Sequence, residues 1–379
     1  MPAASGLLEI AALLVGGAFA LAALCARLGI PTLVGHLLAG VVIGPAGLGL
    51  IERGEALAAI GEIGVILLMF ALGLEFSLPR FLSLRRLILG LGAAQMALTT
   101  FLLAPAVAAA AGLGALPAIL VAGAAAMSST ALTLKILAGK GTLGAPHGRA
   151  VIAVLLFQDL AAVALLVLHD AAAGGGGHGR SLATLALGLG ALTVALLVGR
   201  RPLQRLADWI ARHGEPERAQ LLALGIALVA AVAAIAGGLS PALGAFAAGM
   251  MISEGDARNV VEREIRPFRD LLVGLFFIGI GTQLQLRLLP DFWPEVALWL
   301  AVLLAGKMAL VWPLARGFGE APGVAWRVAA ILANGGEFGL MLASVARVSG
   351  VIPQPVADPL LLALGISLLA GGLIVRRAG

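Results

Sequence analysis

Long apolar runs fill most of the chain. Polar positions interrupt them at intervals close to the roughly 20 residues that one helical crossing of a bilayer requires. Dividing the chain at clusters of charge, proline and glycine predicts thirteen transmembrane segments. The first seven are Leu7–Leu28, Thr32–Leu50, Ala56–Phe76, Leu87–Ala111, Leu116–Ala138, Arg149–Ala171 and Leu182–Gly199. The other six are Leu221–Gly238, Pro241–Ser253, Leu271–Leu286, Trp293–Ala315, Ala325–Val348 and Val356–Val375. The ninth and tenth are short, as tilted or interfacial helices are. The pattern predicts an all-α polytopic membrane protein, a single transmembrane region over residues 1–379.

Composition agrees: 61% of residues are hydrophobic and 12% charged, with a mean hydropathy of +1.06, far from a soluble domain. Residues 1–24 lack the positive n-region of a signal peptide, so they are assigned to the first helix. The single Cys25 excludes an intramolecular disulfide and offers no metal spacing. His169 and His178, with Gly174–Gly177 in a flexible outer loop, could bind a metal, but two histidines without a further ligand are expected to be solvated. No cofactor motif is present, and no cofactor is expected.

Basic residues test the segment count, because cytoplasmic loops hold the excess of lysine and arginine. Of the 25 such residues, only Arg53, Arg180, Arg287 and Arg347 fall on one side, Lys307 lies within a segment, and all the others share the opposite side. That asymmetry places the N-terminus outside and the C-terminus in the cytoplasm, most simply in a bacterial inner (plasma) membrane. The net charge of +5 then faces anionic lipid headgroups and gives no reason to expect nucleic acid.

Two stretches recur. Gly35–Ile43, GHLLAGVVI, aligns with Gly244–Ile252, GAFAAGMMI, and Leu72–Glu75 aligns with Ile280–Gln283. Both matches lie seven segments apart, an odd number, so the two copies run oppositely through the membrane as inverted-topology repeats do. The same offset pairs the fifth segment with the twelfth, and both carry an interruption. The fifth holds Met127-Ser128-Ser129-Thr130, and the twelfth holds Asn334-Gly335-Gly336-Glu337. Such clusters mark places where transporter helices unwind near the midplane, although small residues also serve plain helix packing.

The sixth segment carries Gln158 and Asp159 at its centre. A carboxylate there faces protein or a water-filled cavity and marks an ion or proton pathway, unless it is a structural acid paired with a buried base. Lys307, deep in the eleventh segment, is expected to be buried, where it could neutralise half-helix ends or pair with Asp159. Glu337 follows the glycines at the start of a half-helix, where an acid is favoured.

These residues carry a resemblance. Gln158-Asp159 after Leu155-Leu156-Phe157, the stretch Glu62-Ile63-Gly64-Val65 to Leu72-Gly73-Leu74-Glu75, Met127–Ala131, and Gly335-Gly336-Glu337-Phe338 resemble the monovalent cation/proton antiporters, Kef-type potassium/proton antiporters above all. Ile265–Phe277 is also close to the Kef pattern. The resemblance implies a sodium/proton antiporter-like fold in which two broken helices cross. It implies a dimerisation part, 7–76 and 221–286, a mobile core, 87–171 and 293–375, and a linker helix, 182–199. It implies a homodimer in which Asp159 binds cation and proton alternately. Two features depart from the Kef pattern. The chain ends at Arg376-Arg377-Ala378-Gly379 without the cytoplasmic nucleotide-binding domain, and Asn259-Val260-Val261-Glu262 stands where a His-Ala-Leu-Glu type motif is usual. Both count against glutathione or nucleotide gating; a truncated chain, an unregulated relative, or one with a separate cytoplasmic regulatory subunit would all look like this.

The expected function is secondary exchange of a monovalent cation, potassium before sodium, for protons, without enzymatic chemistry. Asp159 would hold the cation with oxygens from Gln158, Ser129 or Thr130. Ser128, Asn334, Gly335, Gly336, Glu337 and Lys307 would serve the helix breaks and their charge balance. A gated potassium channel and a sodium-coupled organic-solute symporter are the rival readings. Gln158 can ligate but not titrate, so a single titrating acid implies electroneutral exchange, unless Lys307 also releases a proton.

Overall fold

The computed structural model describes residues 15–17, 19–27, 32–45, 47–50, 55–75, 78–173, 199, 201–209, 216–236, 241–253, 257–284 and 289–378. The linker helix expected at 182–199, Gly199 apart, and the loop carrying His178 lie outside them. Every regular element among the described residues is helical. Six helical runs there are long and apolar enough to cross a membrane: Leu82–Ala111, Pro146–Ala173, Glu217–Ala236, Trp293–Gly317, Pro322–Val348 and Gln354–Ala378. Large apolar side chains on their outer faces, such as Phe101 at 70% exposure and Leu221 at 71%, suit lipid rather than water.

Apart from the helical residues 15–17, 19–27, 199 and 201–209, the helices begin with α1 (Thr32–Ile43), α2 (Glu55–Glu75), α3 (Leu78–Arg86), α4 (Ala93–Ala111), α5 (Ala115–Ala126), α6 (Thr130–Gly139), α7 (Pro146–Ala173) and α8 (Pro216–Ala236). After them come α9 (Pro241–Ile252), α10 (Arg258–Gln283), α11 (Trp293–Ala301), α12 (Lys307–Gly317), α13 (Pro322–Leu332), α14 (Glu337–Val348) and α15 (Gln354–Ala378). A π-helical turn, Leu87–Gly92, joins α3 to α4, and another, Val302–Gly306, joins α11 to α12. Helix α10 begins well before the apolar stretch expected from Leu271. Loss of hydropathy marks the edge of the membrane and not the end of a helix, so the charged residues from Arg258 to Asp270 continue the same helix, with Pro267 inside it.

The chain forms two compact units. One comprises 54–83 and 170–279. In it α2 lies against α9 so closely that a Cβ on Gly249 would stand 2.9 Å from Gly73 Cα. Gln220 of α8 donates to Glu264 of α10 at 3.0 Å. The other unit comprises 1–53, 84–169 and 280–379. Here a Cβ on Gly281 would stand 2.8 Å from Gly40 Cα, a similarly close backbone approach. Its core is a buried cluster that includes Leu91, Leu137, Val151, Val154, Val311, Val328, Ile331 and Val375. A buried ion pair, Arg347 Nε to Asp358 Oδ1 at 2.6 Å, joins α14 to α15, and His169 of α7 bonds Ser349 at 2.8 Å.

Candidate ion site

Within this second unit the backbone leaves the helix twice. Helix α5 ends at Ala126, Met127 and Ser129 are extended (φ −72°, ψ 150° and φ −73°, ψ 113°), and α6 starts at Thr130. Ser129 caps the new helix by accepting the Leu132 N–H at 3.2 Å, the role its hydroxyl suits. Helix α13 ends at Leu332, Ala333–Gly336 are non-helical, and α14 starts at Glu337. The two breaks touch. A Cβ on Gly336 would lie 2.6 Å from Ser128 O and 2.7 Å from Ser128 C, so glycine is what lets one backbone pass against the other.

Side chains meet the amides and carbonyls that the breaks expose, as a buried backbone requires. The Ser128 N–H donates to Gln158 Oε1 at 2.8 Å and the Ser129 N–H to Asn334 Oδ1 at 2.9 Å. The Gly335 N–H donates to Ser367 Oγ at 2.9 Å. Asn334 Nδ2 donates to Ile331 O at 2.8 Å, and Ser128 Oγ donates to Leu332 O at 2.7 Å.

Lys307 opens α12 directly after the second π-helical turn and is 1% exposed. Its Nζ donates to Met127 O at 2.7 Å, Asn334 O at 2.7 Å and Ser128 Oγ at 2.9 Å. Three acceptors match the three N–H bonds of an ammonium. The Lys307 nitrogen sits against carbonyls that follow the ends of α5 and α13, the negative poles of those half-helices.

Asp159, 5% exposed, lies at mid-length of α7, with Thr130 Oγ1 donating to its Oδ1 at 3.0 Å. Its carboxylate therefore meets the first residue of α6, the positive pole of that half-helix. Glu337, also 5% exposed, occupies the corresponding first position of α14. One acid bonds to the start of a half-helix, a second opens a half-helix, and the base meets half-helix ends, each on the side that the helix dipole favours.

Gln158, Asp159, Ser128, Ser129, Thr130, Asn334, Gly335, Gly336 and Lys307 are thus drawn together at the two breaks, with Glu337 opening the half-helix beyond them. Sequence reasoning missed two participants. Ser367 of α15 receives the Gly335 N–H, and Gln95 of α4 receives Gln158 Nε2 at 2.7 Å. Both are buried polar residues in apolar helices. Extending the seven-segment offset from the fifth and twelfth segments to their neighbours, the fourth, sixth, eleventh and thirteenth, would have singled them out.

The comparisons decide the family. Residues 10–378 match the family model described as sodium/hydrogen exchanger, transmembrane. The chain belongs to that family. Among relatives of this exchanger chain, K(+) efflux antiporter 2, chloroplastic, of Arabidopsis thaliana is 37% identical over 363 residues. K(+) efflux antiporter 1, chloroplastic, of the same plant is equally identical over the same length. Each alignment takes in 90% of this chain and 30% of the relative, so the chain spans about a third of the length of these curated relatives. The fold is that of the sodium proton antiporter MjNhaP1 from Methanocaldococcus jannaschii at pH 8, with a TM-score of 0.75 at 19% identity over 100% of this chain and 97% of that one. The exchanger family is one of ion transporters embedded in membranes, not of enzymes.

Proposed function

We propose that the protein exchanges a monovalent cation, potassium in preference to sodium, for protons at Asp159, as a homodimer and without moving net charge. The observation that carries this reading is the buried Asp159 carboxylate at a half-helix start, bonded by Thr130 beside two crossing breaks. One carboxylate offers one site: a cation held there leaves when a proton discharges the acid, and the reverse. Thr130, bonded to the same carboxylate, and Ser129 beside it in the chain would supply further oxygen ligands, and Gln158 shapes the same stretch. The matched relatives are named for potassium efflux, which supports potassium as the first choice.

Lys307 stays protonated in this cycle. A neutral amine has two N–H bonds for three acceptors, so losing a proton would strand one buried oxygen. One proton then replaces one cation, and the cycle is electroneutral.

The paired glycine approaches, Gly73 with Gly249 and Gly40 with Gly281, support inverted repeats, because the sequence alignment matches Gly40 to Gly249 and Gly73 to Gly281. Together with the hydropathy segments and the charge asymmetry of the loops, this supports a chain that crosses the membrane thirteen times, with the N-terminus outside and the C-terminus in the cytoplasm of a bacterial cell. The core part, 87–171 and 293–375, would move and the part formed by 7–76 and 221–286 would hold the dimer, joined by 182–199. Anionic lipid surrounds the cytoplasmic end, and a separate regulatory subunit remains compatible with the chain.

The test is purified protein in liposomes with an internal pH dye, titrated with potassium and then sodium. Cation-driven proton movement in the opposite direction is expected. Cation flux with no coupled proton flux would establish a channel and refute exchange.

A further inference from the structure

Gln95 is buried in α4, one turn beyond the π-helical turn Leu87–Gly92, and the exchange cycle above gives it no task. Its hydrogen bonds have a fixed direction. Thr99 Oγ1 donates its one proton to the Gln95 backbone carbonyl at 2.7 Å. Thr99 Oγ1 is then left to accept, and it accepts from Gln95 Nε2 at 3.2 Å. Gln95 Nε2 also donates to Ala126 O, the last carbonyl of α5, at 3.1 Å. With its amino group so placed, Gln95 turns Oε1 toward Gln158, whose Nε2 donates to it at 2.7 Å. Gln158 Nε2 also reaches Ala126 O at 3.3 Å and Ser128 Oγ at 3.5 Å. Gln158 is left with its carbonyl oxygen facing the Ser128 N–H at 2.8 Å.

A reversed Gln158 amide would set two donors against each other at Ser128 and two oxygens against each other at Gln95, each a buried polar group without a partner. An amide presents an acceptor and a donor end of nearly equal size, so shape alone does not choose between them. The Ser128 N–H at one end does, and at the other Ala126 O together with the polarity running from Thr99 through Gln95. Lys307 reaches the same stretch from the other side, also next to a π-helical turn. Such turns recur at functional sites.

We propose that Gln95 is a positioning residue of the ion site, anchoring the Gln158 amide with its oxygen toward the broken stretch and so holding Ser128–Thr130 in the path that sets Thr130 against Asp159. The inference rests on the exchange reading. Gln95 touches neither Asp159 nor the cation and acts through Gln158. Replacing it leaves the titrating acid in place and loosens the oxygens around it, so cation affinity falls while maximal rate is largely kept. A weaker cation competes less well with protons, and the pH profile of exchange moves to higher pH.

The experiment measures exchange in liposomes for wild type, Gln95→Met, Gln158→Met and the double variant, with cation KM, kcat and pH profile for each. Gln95→Met is expected to raise cation KM by about tenfold, the effect of losing one buried hydrogen bond, with kcat within about twofold. Added to Gln158→Met it is expected to change KM by no more than about twofold, because residues acting through one another are not additive. A Gln95→Met protein with wild-type KM and pH profile overturns the inference, as does full additivity in the double variant. If Gln95→Met cannot be purified folded, Thr99→Val carries the test: it removes the hydroxyl that fixes the Gln95 amide and should raise KM in the same direction. Wild-type KM in Thr99→Val would overturn the inference. Wild-type protein that drives no exchange refutes the exchange reading, a result distinct from normal exchange with an inert Gln95.

Discussion

Gly336→Ala adds one methyl group where two unwound backbones cross. The new Cβ would lie 2.6 Å from Ser128 O and 2.7 Å from Ser128 C. Ordinary contact begins near 3.4 Å, so the crossing must open by about 0.8 Å. Backbone cannot rotate aside as a flexible side chain can. The breaks are also tied by the Ser129 N–H to Asn334 Oδ1 and by Ser128 Oγ to Leu332 O, and both bonds stretch as the crossing opens. Overpacking of this kind typically costs about 1–3 kcal/mol. Gly225 of α8 is the control, because nothing among the described residues stands within 4 Å of a Cβ built there. Gly225→Ala should stabilise by roughly 0.5–1 kcal/mol through helix propensity. Thermal unfolding in detergent should therefore shift in opposite directions for the two alanines. In liposomes, Gly336→Ala should lose most exchange while Gly225→Ala keeps it, since displacements near 1 Å at a reacting site cost rates on the order of 100-fold. A Gly336→Ala protein as stable as Gly225→Ala and exchanging at the wild-type rate would refute the argument that this contact holds the site.

Asp159→Asn should abolish cation-driven pH change while leaving folding and dimerisation intact, as checked by liposome flux together with size-exclusion chromatography. Exchange equilibrium should not shift when membrane potential is clamped at different values; a voltage-dependent equilibrium would make Lys307 a proton carrier. Arg347→Met alone should destabilise by about 3–5 kcal/mol by removing one member of a buried ion pair, and adding Asp358→Leu should recover most of the loss in a thermal unfolding assay. Cysteines introduced near Thr130 should change labelling from each side with ion conditions while Cys25 labelling stays constant; identical labelling from both sides throughout would indicate an open pore.

Much of the architecture was written in local chemistry. A bilayer demands long apolar helices, so hydropathy located most of them without knowledge of their neighbours. Asp159 stood out because a carboxylate among Val151–Leu168 has no inexpensive place in lipid. Asn334-Gly335-Gly336 and Ser128-Ser129-Thr130 stood out because paired glycines and hydroxyl clusters weaken or cap a helix where apolar residues would continue it. Lys307 was legible as buried from its depth in an apolar run.

Tertiary structure decided how these pieces meet. Membrane helices are apolar toward lipid and toward each other alike, so the sequence does not say which face of α4 turns inward, and Gln95 passed as one polar residue among many apolar ones. Ser367 was hidden in the same way. The acceptors of Lys307, two carbonyls from different breaks and one hydroxyl, are groups every residue or many residues carry, and only the crossing selects them. The orientation of the Gln158 amide was likewise invisible, because it follows from Ser128, Ala126 and Gln95 on other helices and in the break. The start of α10 at Arg258 escaped hydropathy because charged residues outside the membrane extend a helix as readily as apolar ones inside it. Local composition chose helix or break and apolar or polar at each position; which buried donor faces which acceptor was settled only when segments far apart in the chain packed together.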